Sequence, residues 1–374
     1  VMIDPDASCR EWFRPDVIVD AILAKKNLGT RITDAPFVIG VGPGFYAGKD
    51  CHCVIETKRG HTLGNVIWEK EAIPNTGVPG NIGGFTTERL IRASADGIME
   101  PVAEIGDTVE KGQLVARTGK QPVYAKMSGI VRGMLQKDVQ VTEGLKIGDI
   151  DARCEPEHCV TISDKARAVG GGVLEAVSLF GQIYGNYGVA LLAAGEAKRF
   201  GSDKLSEKFQ GIPLYRHALE KLEAFSGLSR VVVTAREALA EEAQRLGIHI
   251  VENRQPEQGI SHSVSLALQE LLSQNPDLEG VLFLVCDQPG IQAATIQKIL
   301  NEGCLHKNSI VCAGYDGMRG NPVLWGSTYF QELMHLTGDT GGRQLMKQYE
   351  EKIRIVECAP EELKDIDRRE DMTE

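Results

Sequence analysis

A constant offset of 32 residues runs through the middle of this chain. Asp96-Gly97-Ile98, followed by Gly106-Asp107-Thr108-Val109-Glu110-Lys111-Gly112-Gln113-Leu114-Val115, returns as Ser128-Gly129-Ile130, followed by Asp138-Val139-Gln140-Val141-Thr142-Glu143-Gly144-Leu145-Lys146-Ile147. Gly97 and Gly129, Val109 and Val141, Gly112 and Gly144, and Val115 and Ile147 are each 32 positions apart. Each copy alternates apolar and polar residues with glycine at the turns, which is the period of short strands. A copy this short has an apolar face and nothing of its own to cover it. The repeat therefore predicts two sets of strands packed on one another.

The pattern resembles the biotinyl/lipoyl-like barrel-sandwich, in which two such halves pack with pseudo-twofold symmetry. In that family a lysine between the halves carries the cofactor, and Lys120 and Lys126 fall in that interval. Gly119 stands where the lipoyl site has an acidic residue, Pro122 follows closely, and Ala125-Lys126-Met127 lacks the methionine that precedes a biotinylated lysine. A scaffold or docking surface is the expected role of this region, residues 91–162.

Ahead of it, residues 1–90 read as a partial α/β segment. Val17-Ile18-Val19 and Phe37-Val38-Ile39-Gly40-Val41 are β-branched runs of the kind buried parallel strands show, and Ala21–Asn27 between them reads as helical. Gly40-Val41-Gly42-Pro43-Gly44 leaves a strand, but Pro43 lacks the amide a phosphate needs, and a tight turn accounts for the glycines equally well. Cys51-His52-Cys53 with His61, and Cys154 through His158-Cys159, hold ligand-type side chains. Their spacing matches no standard zinc knuckle, so buried thiols are the expected reading. Residues 163–187, with Gly170-Gly171-Gly172 and a short apolar helix over Val173–Phe180, read as a linker.

From residue 188 to 374 the rhythm changes. Strands at Val189–Leu192, Arg230–Thr234 and Gly280–Val285 alternate with helices near Leu214–Phe225 and Ser263–Ser273, which predicts a mainly parallel sheet covered on both faces. The first strand runs into Leu192-Ala193-Ala194-Gly195 and then Arg199 and Lys204. Small residues let backbone approach a phosphate, and the two cations neutralise it. Leu282 to Val285 delivers Cys286-Asp287, at the strand end where open α/β sheets bind ligands; Asp287 also reads as the N-cap of a helix beginning at Pro289. Gly259, Ser261 and Ser263 open another helix, where capping and ligand binding both remain open. His217, His249 and His262 read as structural.

Charge narrows the partners. With 41 Lys+Arg against 52 Asp+Glu the net charge is −11, which leaves no general basic footprint for nucleic acid. Val169–Gly195 is too polar and too broken by glycine to span a membrane, and no signal peptide is visible, so a cytoplasmic location is expected.

The segment from Leu192 to Lys204 resembles the nucleotidyltransferase signature, and more narrowly the molybdenum-cofactor branch of that superfamily, with a Rossmann-like fold. The resemblance implies that Arg199 and Lys204 bind the triphosphate, and that Leu192, Ala193, Ala194, Gly195, Gly259, Ser261 and Ser263 bind the nucleotide. It also implies that Asp287 holds Mg²⁺. Ala193-Ala194 and Phe200 look like the cytidylyltransferase form. Gly320-Asn321-Pro322 and Gly338-Asp339-Thr340-Gly341-Gly342-Arg343 resemble acceptor-side motifs. Asp365-Ile366-Asp367 resembles the family's second acidic motif, which makes Asp367 a further metal contact. The implied reaction is transfer of CMP from CTP to molybdopterin. The alternatives are GTP or another acceptor, and a non-catalytic cofactor chaperone.

The first half, from Pro15-Asp16 through Arg31-Ile32-Thr33-Asp34, His52, Glu56-Thr57, Arg59-Gly60-His61 and Gly170-Gly171-Gly172, resembles the YqeB-type accessory proteins of selenium-dependent molybdenum hydroxylases. A hydroxylase apo-enzyme is the partner this implies. That family usually opens with a Gly-rich Rossmann unit, so a chain opening on Val1 is expected to begin inside it.

Overall fold

The computed structural model describes residues 1–76, 81–195, 200 and 203–373. Packing divides the chain into two compact units, one of residues 58–63 and 74–170, the other of residues 1–57, 64–73 and 171–374. The fold is mixed α/β. No helix among the described residues is long and apolar enough to cross a membrane.

In the smaller unit the 32-residue offset becomes geometry. Strands Leu90–Arg92, Gly97–Pro101, Thr108–Val109 and Leu114–Thr118 recur as Gln121–Tyr124, Gly129–Met134, Gln140–Val141 and Lys146–Asp151. One four-stranded sheet has the order Gln121–Tyr124, Leu114–Thr118, Gly97–Pro101, Gln140–Val141; the other has Leu90–Arg92, Lys146–Asp151, Gly129–Met134, Thr108–Val109. Replacing each strand by its copy turns the first order into the second, so each sheet takes two strands from each copy. The apolar positions follow the same rule: Ile91 and Val123, Met99 and Val131, Val109 and Val141, and Val115 and Ile147 all lie in one core. So do the close approaches. A Cβ on Gly97 would meet the Gly119 backbone at 2.5 Å, and one on Gly129 the Asp151 carbonyl oxygen at 2.5 Å. Gly119 and Asp151 are themselves one repeat apart.

The larger unit begins with a sheet in which Val17–Asp20, Phe37–Val41 and Cys53–Ile55 run parallel and Val66–Ile67 closes the edge antiparallel. The helix expected over Ala21–Asn27 does not form. Asp20 accepts the Ile22 amide, Leu23 and Lys25 take positive φ, and Asn27 Oδ1 accepts the amides of Gly29 and Thr30. Side-chain bonds to local backbone thus replace the helical ladder. His52 ties this sheet into the unit. Its Nδ1 accepts the Val38 amide at 3.0 Å and its Nε2 donates to the Ala224 carbonyl at 2.6 Å, and burial pulls its pKa down to about 4.

The expected short helix at Val173–Phe180 is longer, Asp164–Ile183, and runs through all three glycines. Gly172 explains one of them, since a Cβ there would meet the Gly64 carbonyl oxygen at 2.1 Å. Beyond it lies a seven-stranded sheet in the order His249–Glu252, Ser229–Thr234, Tyr187–Leu192, Gly280–Val285, Met318–Gly326, Ile310–Tyr315, Ile353–Glu357. Met318–Gly326 alone runs antiparallel to its neighbours; the other pairs are parallel. The central strands are apolar along their whole length because both faces are covered, by separate cores. After Tyr187–Leu192 the chain builds to one side, then crosses to Gly280–Val285 on the other. That reversal opens a crevice at the C-terminal ends of those two strands.

Candidate active site

The crevice is a cavity of about 460 Å³. Its lining includes Leu192, Ala193, Ala194, Gly195, Lys204, Gly259, Ser263, Asp287 and Asp367, nine of the residues the sequence nominated. Phe200 and Asp339 complete parts of the wall. Arg199 lies outside the described residues. Ser261 is fully buried and does not line the cavity, and among the described residues its Oγ has no hydrogen-bond partner.

Charge is concentrated at one point. Lys204 Nζ lies 3.0 Å from Asp287 Oδ2 and 3.6 Å from Asp367 Oδ1, and the lysine is 9% exposed. An ammonium taken this far from water needs paired carboxylates to stay charged. Asp287 leaves Gly280–Val285 at its C-terminal end, and the N-cap alternative falls: the following helix, Ala293–Leu305, is preceded by Gln292. The capping carboxylate is Glu362, whose Oε2 accepts the Gln292 amide at 3.0 Å and the Thr295 hydroxyl at 2.6 Å. No local signal announces it, because its partners are 70 and 67 residues away.

Glu362 also explains how Asp367 arrives. The tail is held by Gln288 Nε2 donating to the Leu363 carbonyl and by the Ile366 amide donating to the Asp287 carbonyl at 2.9 Å. Gly290 lets it approach, since a Cβ there would meet the Glu361 carbonyl oxygen at 2.5 Å. Arg369 lies 5.9 Å from the centre of the Phe200 ring. The Arg-Arg that interrupts the acidic motif thus contributes a contact to Phe200 in the cavity wall.

On the opposite wall, helix Ile260–Gln274 is preceded by Gly259, with φ of +83°. A Cβ there would meet the Gly338 carbonyl carbon at 2.7 Å. Neither serine caps this helix. Asp339 Oδ1 accepts the Ile260 amide at 3.3 Å, and Ser263 Oγ accepts from buried Asn253 Nδ2 at 3.0 Å.

Burial pushes the Cys286 thiol up, with Asp287 adding to it, so it carries no thiolate at neutral pH. Among the described residues no three His, Cys, Asp or Glu side chains group to hold a metal on their own. A larger cavity of about 930 Å³, lined in part by Trp68, Leu179, Lys298 and Arg354, has those cations paired with Glu69 and Glu302. It offers a triphosphate little that is not already engaged.

The switch-point crevice thus sets a small-residue loop, a buried lysine and a strand-end aspartate side by side. Residues 189–353 match the MobA-like NTP transferase domain, and this part of the chain is a domain of that type. Over its N-terminal half the chain is 54% identical to the uncharacterized protein YqeB of Escherichia coli, across 179 residues that make 48% of this chain and 33% of that protein. The chain thus spans about a third of that relative's length. It is 28% identical to the purine catabolism protein PucB of Bacillus subtilis over 168 residues, 42% of this chain and 78% of that one. It is 37% identical to a probable molybdenum cofactor guanylyltransferase of Thermococcus gammatolerans over 62 residues, 17% of this chain and 32% of that one.

Proposed function

We propose that the C-terminal domain transfers CMP from CTP to the terminal phosphate of molybdopterin and releases pyrophosphate. One observation carries the reading: Lys204, Asp287 and Asp367 converge at the switch point beside Ala193-Ala194-Gly195. The acceptor phosphate is already anionic, so attack on the α-phosphorus needs neither a general base nor a covalent intermediate. What remains is alignment and charge neutralisation. Ala193-Ala194-Gly195 brings small-residue backbone to the triphosphate. Lys204, and Arg199 by its place in the motif, neutralise the leaving pyrophosphate.

Asp287 and Asp367 both reach one ammonium, so one cation can satisfy both. Their hard oxygens suit Mg²⁺, an ion that prefers oxygen ligands, and these two residues would hold it. Bound there, Mg²⁺ would supply neutralisation of the α-phosphate. Tail segment 360–367 orients the second carboxylate. The smaller unit, whose two sheets interchange strands by a fixed offset, is read as a barrel-sandwich that docks a molybdenum hydroxylase apo-enzyme.

A second reading uses GTP, and the identity to a probable molybdenum cofactor guanylyltransferase favours it. Against it stands the resemblance of Ala193-Ala194 and Phe200 to the cytidylyltransferase form. Pyrophosphate release is measured with Mg²⁺, molybdopterin and each nucleoside triphosphate in turn. Release with CTP above all others is expected; a preference for GTP replaces the first reading with the second. No release with any nucleotide removes the enzyme reading and leaves a cofactor chaperone.

A further inference from the structure

Arg236 stands two residues past the strand Ser229–Thr234, where its own amide donates to Thr234 Oγ1 at 3.0 Å. Nothing in its sequence context marks it. Its guanidinium is spent on the nucleotide loop. Nε donates to Asp203 Oδ1 at 2.6 Å, one terminal nitrogen to the Ala193 carbonyl, and the other to the Gly195 carbonyl at 3.0 Å. The side chain is 19% exposed. We propose that Arg236 is the positioning residue of the nucleotide loop, and that it sets the loop for a triphosphate without touching it. The proposal rests on the reading of this loop as the triphosphate site.

In a trans peptide the carbonyl and the following amide point in opposite directions. Because Arg236 binds the Ala193 carbonyl, the Ala194 amide is turned away from it. A loop that binds anions needs its amides directed at the ligand and its carbonyls directed elsewhere, and a buried carbonyl needs a donor when it gets there. Arg236 provides that donor twice. Its third bond goes to Asp203, so one side chain links Gly195 to Asp203, the residue before Lys204. Asp203 is fixed in turn by Ser206 Oγ, which donates to its other oxygen, and lies beside Lys204. The same fork therefore braces the start of the turn that delivers the lysine. Three bonds in one plane are what a guanidinium offers and an ammonium does not.

The test uses the full chain, with CTP and GTP in the presence of Mg²⁺ as probes. Dissociation constants come from calorimetry and nucleotide KM from pyrophosphate release. Arg236→Ala is expected to weaken binding of the preferred nucleotide by about a hundredfold, the scale of a misplaced binding element. Arg236→Lys is expected to recover little of this, since charge survives and the fork does not. Guanidinium ion added to Arg236→Ala is expected to restore part of the affinity, a rescue that a general packing defect would not show. Should Arg236→Ala fail to fold, Asp203→Ala, which removes the acceptor of one bond of the three, is expected to raise KM severalfold with its melting temperature kept.

Wild-type affinity in Arg236→Lys, or no loss in Arg236→Ala, overturns the role of Arg236 and leaves the site intact. A wild-type chain that binds no nucleotide overturns the reading of the site, and the proposal with it.

Discussion

Gly40-Val41-Gly42-Pro43-Gly44 and Leu192-Ala193-Ala194-Gly195 each carry the chain out of a buried parallel strand in the larger unit, through small residues. As sequence they compete for the same role. In the fold the first is closed: the Gly42 amide donates to the Ile55 carbonyl at 2.9 Å, and Gly44 sits against the backbone of Lys25 and Lys26. The second lines a cavity beside a lysine and two carboxylates, with its carbonyls drawn back by Arg236. Small residues after a strand let something come close. Whether that is the chain itself or a ligand depends on which groups satisfy the backbone.

The largest effect should separate the two turns outright. Asp287→Asn is expected to cut turnover by about a thousandfold, the scale of removing a group that stabilises transition-state charge, with unchanged circular dichroism. Retained turnover would mean the open turn is not where the chemistry occurs.

The closed turn answers to pH instead. Its strand is held by His52, whose folded pKa of about 4 lies below the ordinary imidazole value. As pH falls below about 6.5 the unfolded chain takes up the proton first, so stability is full above that value and declines down to about pH 4. The loss should approach about 3 kcal/mol in thermal unfolding, from about 1.4 kcal/mol for each pH unit between the two values. In His52→Gln that slope should disappear; an unchanged slope would move the titration to another group.

Next is a matched pair of substitutions. Gly44 has φ of +109° and a Cβ would meet Lys26 backbone at 2.5 Å, so Gly44→Ala should cost about 2 kcal/mol of stability or more and leave nucleotide KM alone. At Gly195 a Cβ meets nothing within 4 Å among the described residues. Gly195→Ala should change stability by less than about 0.5 kcal/mol, yet raise nucleotide KM. Reversed outcomes would exchange the roles of the two turns.

The smallest effect is the most discriminating. Lys204 occupies the carboxylate pair that would otherwise attract a divalent ion. Without nucleotide, Lys204→Met should bind Mn²⁺ about tenfold more tightly than the wild type, about 1.4 kcal/mol. Weaker binding in the variant would show that the lysine does not compete with the metal.

Much of this was legible in the residues themselves. The repeat foretold paired sets of strands, because period-2 patterning and glycine turns are local signals. The strands at Val189–Leu192, Arg230–Thr234 and Gly280–Val285 were legible for a related reason, since burial on both faces leaves unbroken apolar runs. What escaped was partly a local competition for the backbone and partly non-local. The residues after Asp20 looked helical, but side-chain bonds from Asp20 and Asn27 won the backbone. Arg236 and Glu362 act across 33 to 43 and 67 to 70 positions respectively, so no window of sequence joins them to their partners. Ser261 and Ser263 looked equivalent until helical geometry, with both buried, turned Ser263 to the cavity wall and Ser261 away from it.

The interchange of strands in the smaller unit has a consequence for how such a unit can exist at all. Each sheet draws two strands from each copy, so a single copy leaves half of every sheet unpaired and half of the core bare. Such a half-length peptide could close its sheets only by meeting a second molecule, as in a strand-exchanged homodimer. Joining the copies in one chain turns that encounter into an internal one. Assembly no longer depends on concentration, and the two halves are free to diverge, one keeping Lys120 at a turn where its counterpart has Ala152.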